Sequence, residues 1–285
     1  MLYLHHIFNG IWMIDSDYAA NFLPVIAAYI KGEAIQNTSP DKQSTDKVAF
    51  ATLQASKYFV TPHSSFYAPE DAPEDSVAVM AIRGAITKHS QFCGPAGMVA
   101  QANLLDRCYA NDNIKGIVIV TESGGGEAYA MQILNEAIAR KNKPVVGFID
   151  DFSASAAYGI ISGCDQIVAN RTLARVGSIG AYQTIVDHTE YFKNKGINLI
   201  EIYATASKDK NGELREALNG NLEPLRKMVD VFNESFLSQV ETNRTGKLKT
   251  ERKDWGTGKI FFADEALKHG LIDRIDSFEN VLNYF

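Results

Sequence analysis

The sequence predicts an α/β domain with a mostly parallel sheet, set behind an N-terminal arm of helix and loop. Two observations lead there. From Val77 onward, short apolar runs alternate with segments of helix length, the pattern of βα units whose helices cover the faces of a sheet. At 285 residues and 46% hydrophobic, the chain can also bury one large core.

The elements follow in chain order. Residues 1–30 read as short amphipathic helix, with Phe22, Leu23, Val25 and Ile26 near one face. Residues 31–76 are rich in Ser, Thr, Pro, Asp and Lys and read as a linker or loosely packed arm. This places a boundary near Asp75, with an arm over 1–75 and the main domain over 76–285. "VAVMAIRGAI", from Val77, reads as a strand, followed by a helix around Ala96 to Ala110 and a short buried strand, "GIVIV". A helix from Glu127 to Arg140 precedes the strand "PVVGFI", which ends at Ile149, and another helix begins after Ser155. "QIVA" is then a strand, His188 to Lys195 a helix, and "NLIEIYA" a strand. Asn221 to Arg244 is a long helix carrying Leu225, Met228, Val229, Phe232, Phe236 and Val240 near three- and four-residue steps, so it packs on the body or on another subunit.

Charge and cysteine usage exclude several classes. A net charge of −6 without a basic stripe argues against a nucleic-acid partner. Cys93, Cys108 and Cys164 have no CxxC spacing and an odd count, which fits reduced core thiols better than disulfides or a zinc site, and points to the cytoplasm. Ala19 to Ile30 is too short to span a bilayer and lacks a basic leader, so no membrane anchor is expected. No cofactor or metal is called for.

The chemistry is expected at the carboxyl ends of the strands, in the turns after "GIVIV" and "PVVGFI". The first turn, "TESGGGEAY", has Gly124, Gly125 and Gly126 to turn backbone N–H groups outward near a helix start, where an oxyanion could be held. It is no dinucleotide fingerprint, since position 129 is Tyr129, and no GxxxxGK[ST] occurs in the chain. The second turn, "SASAAYG", puts Ser155 at the start of a helix among alanines, with room around its hydroxyl. A nucleophile with two backbone donors is what acyl transfer requires, although a serine so placed is, taken alone, more often a helix cap or a small packing residue, with Ser153 as its competitor for the cap. No GxSxG elbow is present. Of the six histidines, only His89 and His188 lie near loops of the α/β body, without an evident orienting carboxylate. A desolvated lysine is the other kind of base, and "YATASKDKNGE" offers Lys208 and Lys210.

Taken together, "ESGGGEAYA", "ASAAYGI", "RVGSIGAY", "ATASKDK" and "GKIFFADEALKHGLID" resemble the successive blocks of the S49 peptidases, the signal peptide peptidase A type, over roughly residues 77–280. That resemblance implies a Clp/crotonase-like ββα superhelix and a serine endopeptidase. It puts the nucleophile at Ser155, the general base at Lys208, and the oxyanion hole at Gly124 and Ala156, with Gly125, Tyr158 and Ser178 as supporting positions. It also implies a homo-oligomer whose dyads are shared between subunits. Two departures stand out: Glu122-Ser123 replaces the family's Ser-Pro, and Ala156-Ala157 its Gly-Gly, which sets two extra methyls where substrate would approach. Soluble relatives in phage head-assembly clusters, whose leaders "IFNGIWMIDSDYAANFLPVIAAYIKGE" is similar to, suggest scaffold or portal protein as substrate. A signal-peptide or general peptide-degrading peptidase, a crotonase-like acyl-CoA enzyme and a non-catalytic assembly protein are the alternatives.

Overall fold

The structure is a computed structural model that describes residues 12–14, 47–54, 57–60, 67–90, 95–198 and 200–285. A sheet of mostly parallel strands runs through its centre in the order β10-β9-β7-β5-β4-β2-β3, with β8 and β11 branching from β7. The strands are β2 (Ala49–Gln54), β3 (Lys57–Val60), β4 (Ser76–Arg83), β5 (Ile114–Ser123), β7 (Val145–Ala154), β8 (Gln166–Ala169), β9 (Arg175–Gly177), β10 (Ile260–Phe262) and β11 (Arg274–Ile275). β4, β5, β7, β8 and β11 are parallel, as is β9 to β7, while β2, β3 and β10 join antiparallel at the edges. A separate pair, β1 (Trp12–Ile14) with β6 (Gly125–Glu127), lies off this sheet.

Strand parity explains why the central runs are apolar without interruption. In β5, Ile117 and Ile119 face the larger core while Val118 faces a second one, and β4 divides Met80 and Ile82 from Val77 in the same way. Helices α1 (Met98–Ala110), α2 (Ala128–Ala139), α3 (Ala156–Ile161) and α6 (Glu223–Asn243) contribute to the larger core, with α4 (Thr189–Asn194) and α5 (Gly212–Leu218) lying in the connection before α6. After α7 (Arg252–Trp255) and α8 (Ala263–His269), the last helix, α9 (Phe278–Leu282), closes the second core with Val281 and Leu282 over Val146, Phe148 and Val168.

Three elements differ from the sequence reading. The polar stretch expected as linker supplies β2, where Ala49, Phe50 and Ala51 are buried and pair across the expected boundary with Val77–Val79. Local composition had hidden a strand of six residues. "PVVGFI" does not end at Ile149: β7 continues to Ala154 after a bulge at Asp150-Asp151, since Thr121 pairs with Ile149 and the next residue, Glu122, with Phe152. The expected strand "NLIEIYA" is not one among its described residues, and Ile200 and Ile202 are 82% and 91% exposed. Of the helix expected over 1–30, residues 12–14 are a strand, and the face of Phe22, Leu23, Val25 and Ile26 lies outside the described residues. Cys108 and Cys164 are free and buried, and burial pushes both thiols up to about 12. Cys93 lies outside the described residues.

The C-terminal layer is pinned by one buried cation. Arg244, fully buried, donates to Gly270 O at 2.7 Å and to both Asp273 carboxylate oxygens at 2.9 and 3.1 Å. Burial opposes the Asp273 charge, but the hydrogen bonds and charge of Arg244 outweigh it and hold this carboxyl below its ordinary value. A depressed carboxylate stabilises the fold above its unfolded pKa of about 3.9, and that contribution is lost as pH falls through the folded value. Arg244→Met removes the strongest partner of Asp273, which keeps Lys247 Nζ at 3.5 Å and the Ile167 N–H at 2.7 Å, and leaves Gly270 O without its donor. We expect it to cost about 1.5–3 kcal/mol at neutral pH. Urea titrations of both proteins at stepped pH check this, and the gap should narrow below about pH 4.

Candidate active site

The turn that ends β7 is built around an unusual backbone. Ser155 has φ 56° and ψ −122°, a region that residues with a side chain rarely occupy. Its N–H donates to Gly177 O at 2.7 Å, and its carbonyl accepts from Gly159 N at 2.9 Å, so β9 holds one side of the turn and the first turn of α3 the other. Ser155 is the N-cap residue of α3, yet its side chain makes no capping hydrogen bond. Ser153, the expected competitor, lies within β7, where its Oγ is buried without a partner among the described residues. The hydroxyl best placed for capping is thus not used for it.

The glycine turn meets this serine turn from the neighbouring strand. Ser123 ends β5 and pairs with Ser153, and its Oγ donates to Gly84 O at 2.6 Å while accepting from Gly125 N at 3.1 Å. Gly125 has φ 104°, and a Cβ there would lie 3.0 Å from both Ala156 N and Ala154 O. The absent side chain therefore leaves a space bordered by the first N–H of α3, which has no acceptor within its own helix. Gly124 was the expected partner of Ala156, and its neighbour Gly125 is the one whose Cβ position lies 3.0 Å from Ala156 N. Gly126 is equally constrained, since a Cβ there would lie 1.9 Å from Ile86 O. In the sequence Ser123 showed only as a departure from the family's Ser-Pro; the fold shows its part in the turn through both of its hydrogen bonds.

The remaining expected positions divide. Ser178 follows Gly177 with φ 51°, and its N–H donates to Lys259 O at 2.8 Å. Tyr158 is fully buried and donates to Leu271 O at 2.9 Å, with burial raising its phenol above the ordinary value, so it ties α3 to the C-terminal layer. Ala156 and Ala157 are fully buried within the larger core, so their methyls point into packing. Lys208 is exposed at the end of a short 3-10 turn, Thr205–Ser207, and its carbonyl accepts from Arg215 at 2.6 Å. Among the described residues no hydrogen bond or ion pair joins Lys208 to Ser155. The chain thus brings together Ser155, Ala156 and the glycine turn, and holds Lys208 on a separate exposed segment.

The profile of peptidase family S49 matches residues 137–285, which include the serine turn and Lys208. A candidate protease of Methanocaldococcus jannaschii is 32% identical over 182 residues, 63% of this chain and 58% of that one. Protease 4 of Haemophilus influenzae is 26% identical over 220 residues, covering 73% of this chain and 34% of its own. Head-tail preconnector protein GP5 of Enterobacteria phage P21 is 24% identical over 208 residues, 70% of this chain and 41% of that one. The chain therefore spans less than two thirds of each of these relatives. Among solved structures, a membrane-bound stomatin-specific protease superposes with a TM-score of 0.45 at 19% identity, over 74% of this chain and 83% of that one.

Gly125→Ala tests the cradle. A methyl at positive φ strains the turn, lies 3.0 Å from Ala156 N and collides with Met13 O at 2.2 Å, so it disturbs both the cradle and β1, whereas Gly124 lies outside the left-handed region. We expect Gly125→Ala to slow serine-directed labelling by about a hundredfold or more even though it also loosens β1, because the strained turn no longer places the Ala156 N–H, a loss on the scale of an oxyanion donor. Gly124→Ala, followed by the same intact-mass time course, should slow it far less.

Proposed function

The chain belongs to peptidase family S49, and from that membership we propose that it is a serine endopeptidase whose active sites are completed between subunits. The observation that carries this reading is the backbone of Ser155. A buried serine in a strained conformation, with a hydroxyl unused for capping, beside a helix-start N–H and a glycine cradle, is the arrangement acyl transfer needs.

In this mechanism Ser155 Oγ adds to the carbonyl carbon of the scissile peptide and its proton passes to Lys208 Nζ. The oxygen that becomes negative is met by Ala156 N–H and by the N–H of Gly124 in the glycine turn, while the Gly125 N–H is held by Ser123 Oγ. Collapse breaks the C–N bond, and the departing amine takes the proton back from the lysine. Water, deprotonated by the same lysine, then hydrolyses the ester and restores Ser155.

A lysine acts as base only where desolvation disfavours its charged form. Lys208 is exposed within one chain, so its burial has to come from a second copy. The segment that carries it supports that requirement: Ile197, Ile200, Ile202, Leu214, Leu218 and Leu222 are exposed, more apolar surface than a connection between helices ordinarily shows water. Similarity to the phage head-tail preconnector protein supports a substrate among head-assembly proteins, a scaffold or portal protein.

Two measurements check this reading. Incubation with a fluorophosphonate should add one adduct by intact mass, mapped to Ser155, absent in Ser155→Ala and formed about a hundredfold or more slowly in Lys208→Ala. A full-rate adduct in Lys208→Ala would remove the dyad. In light scattering, the double variant Ile200→Asp, Ile202→Asp should shift the assembly toward monomer and slow labelling with it, although neither residue touches Ser155.

A further inference from the structure

β1 runs through the space in front of the candidate nucleophile. It pairs antiparallel with β6 in the register Trp12 to Glu127, Met13 to Gly126 and Ile14 to Gly125, so its C-terminal end reaches the glycine cradle. On its other side Trp12 N–H donates to Tyr182 O and Trp12 O accepts from Tyr182 N–H, both at 3.0 Å. A strand held by main-chain hydrogen bonds on both edges is how a protein receives an extended peptide. The approach is close enough to demand glycine: a Cβ on Gly125 would lie 2.2 Å from Met13 O, and the same point is 3.0 Å from Ala156 N. Trp12, Met13 and Ile14 are all buried. Beyond Ile14 the groove continues as a cavity of about 470 Å³ lined by Ser178, Gly180, Val229, Asn233 and Thr257.

We infer that this two-edged groove is the channel for an extended, apolar peptide, and that β1 is its intramolecular occupant, a strand of the chain itself that keeps substrate out until it is displaced. The inference rests on Ser155 being the nucleophile only for its consequence in catalysis; the groove and its occupant stand on the pairing alone. Met13 also packs into the larger core, but burial alone does not call for the pairing. β1 pairs with no strand of the main sheet, and its partners β6 and Tyr182 are both more than a hundred residues away in sequence. An apolar segment seeking only burial has no need of two sets of backbone hydrogen bonds beside a left-handed glycine.

The test uses the full chain with Met13→Asp, which puts a charge into the buried strand, and Trp12→Pro, which removes the N–H given to Tyr182 without adding a charge. Hydrogen exchange at Gly126, which pairs with Met13, and at Tyr182, whose N–H donates to Trp12 O, reports whether β1 has left. Access limited to molecules with an empty groove scales with that fraction, so release should speed fluorophosphonate labelling of Ser155 by about tenfold or more. A fluorescein-labelled peptide GIWMIDS should then bind the released variants, not the parent, and slow their labelling. If exchange shows β1 released in either variant while labelling stays at the parent rate and the peptide does not bind, the inference is overturned and the serine reading survives. If the peptide binds the released variants but no variant is labelled, the occupied groove stands and the serine reading falls.

Discussion

The hydrogen bond from Ser155 N–H to Gly177 O is the constraint on which the site depends, because it is made only if β7 changes partner midway. The first half of β7 pairs with β8 through Val146–Ile149, and the last residues, Phe152–Ala154, pair with β9. The bulge at Asp150-Asp151 lets one strand serve both, and Asn170 steadies it by donating to Asp150 Oδ1 at 2.9 Å. With β5 on one side and β9 on the other, Ala154 arrives at a fixed position and the chain turns sharply into α3. A non-glycine residue at such a backbone costs about 1–3 kcal/mol and persists where its surroundings over-determine it. Here two strands and a fully buried helix do so.

What could be read from the sequence follows from which forces are local. The runs 116–120 and 166–169 are apolar because both faces of their strands are covered, and a continuous apolar run keeps that meaning without knowledge of the partner. The position of Ser155 at a strand-to-helix turn was legible for the same reason. β2 was not, because its burial is decided by β4 in the main sheet while the residues before it are polar. The segment after Asn198 misled in the opposite sense: Ile200 and Ile202 look like strand core, but among the described residues no strand receives them. Gly125 and Ser123 illustrate a third limit. A triplet of glycines announces a tight turn, while which of them approaches Ala156 is settled by the β5–β7 register, a relation between distant residues.

Two apolar surfaces lie near the site, and they are in different states. The groove beside β6 is filled, and its backbone groups are paired by β1 and Tyr182. The connection bearing Lys208 leaves its apolar side chains in water. Opening the site therefore means losing an intramolecular strand, and completing it means gaining an intermolecular neighbour. The first change exposes paired backbone and buried side chains, so it needs a competitor of like geometry, such as a peptide strand. The second buries aliphatic surface and is favoured by chain concentration. The two requirements respond to different variables, substrate and assembly, so the proposed function and the inferred role of β1 together would give two separable controls over one serine.

The alanines after Ser155 fit this picture better than they fit a damaged site. In a merely sequential view, Ala156 and Ala157 put methyls where the family's glycines leave room. In the structure those methyls lie in the larger core, and the edge of α3 that meets the glycine cradle is Ala156 N–H. Glycine in a helix is less favourable than alanine by roughly 0.5–1 kcal/mol. Two alanines in a helix of six residues therefore offset about as much free energy as the strained Ser155 costs. The substitution keeps the Ala156 N–H, adds core packing and stiffens the first turn of α3, which holds both the serine carbonyl and that N–H in place.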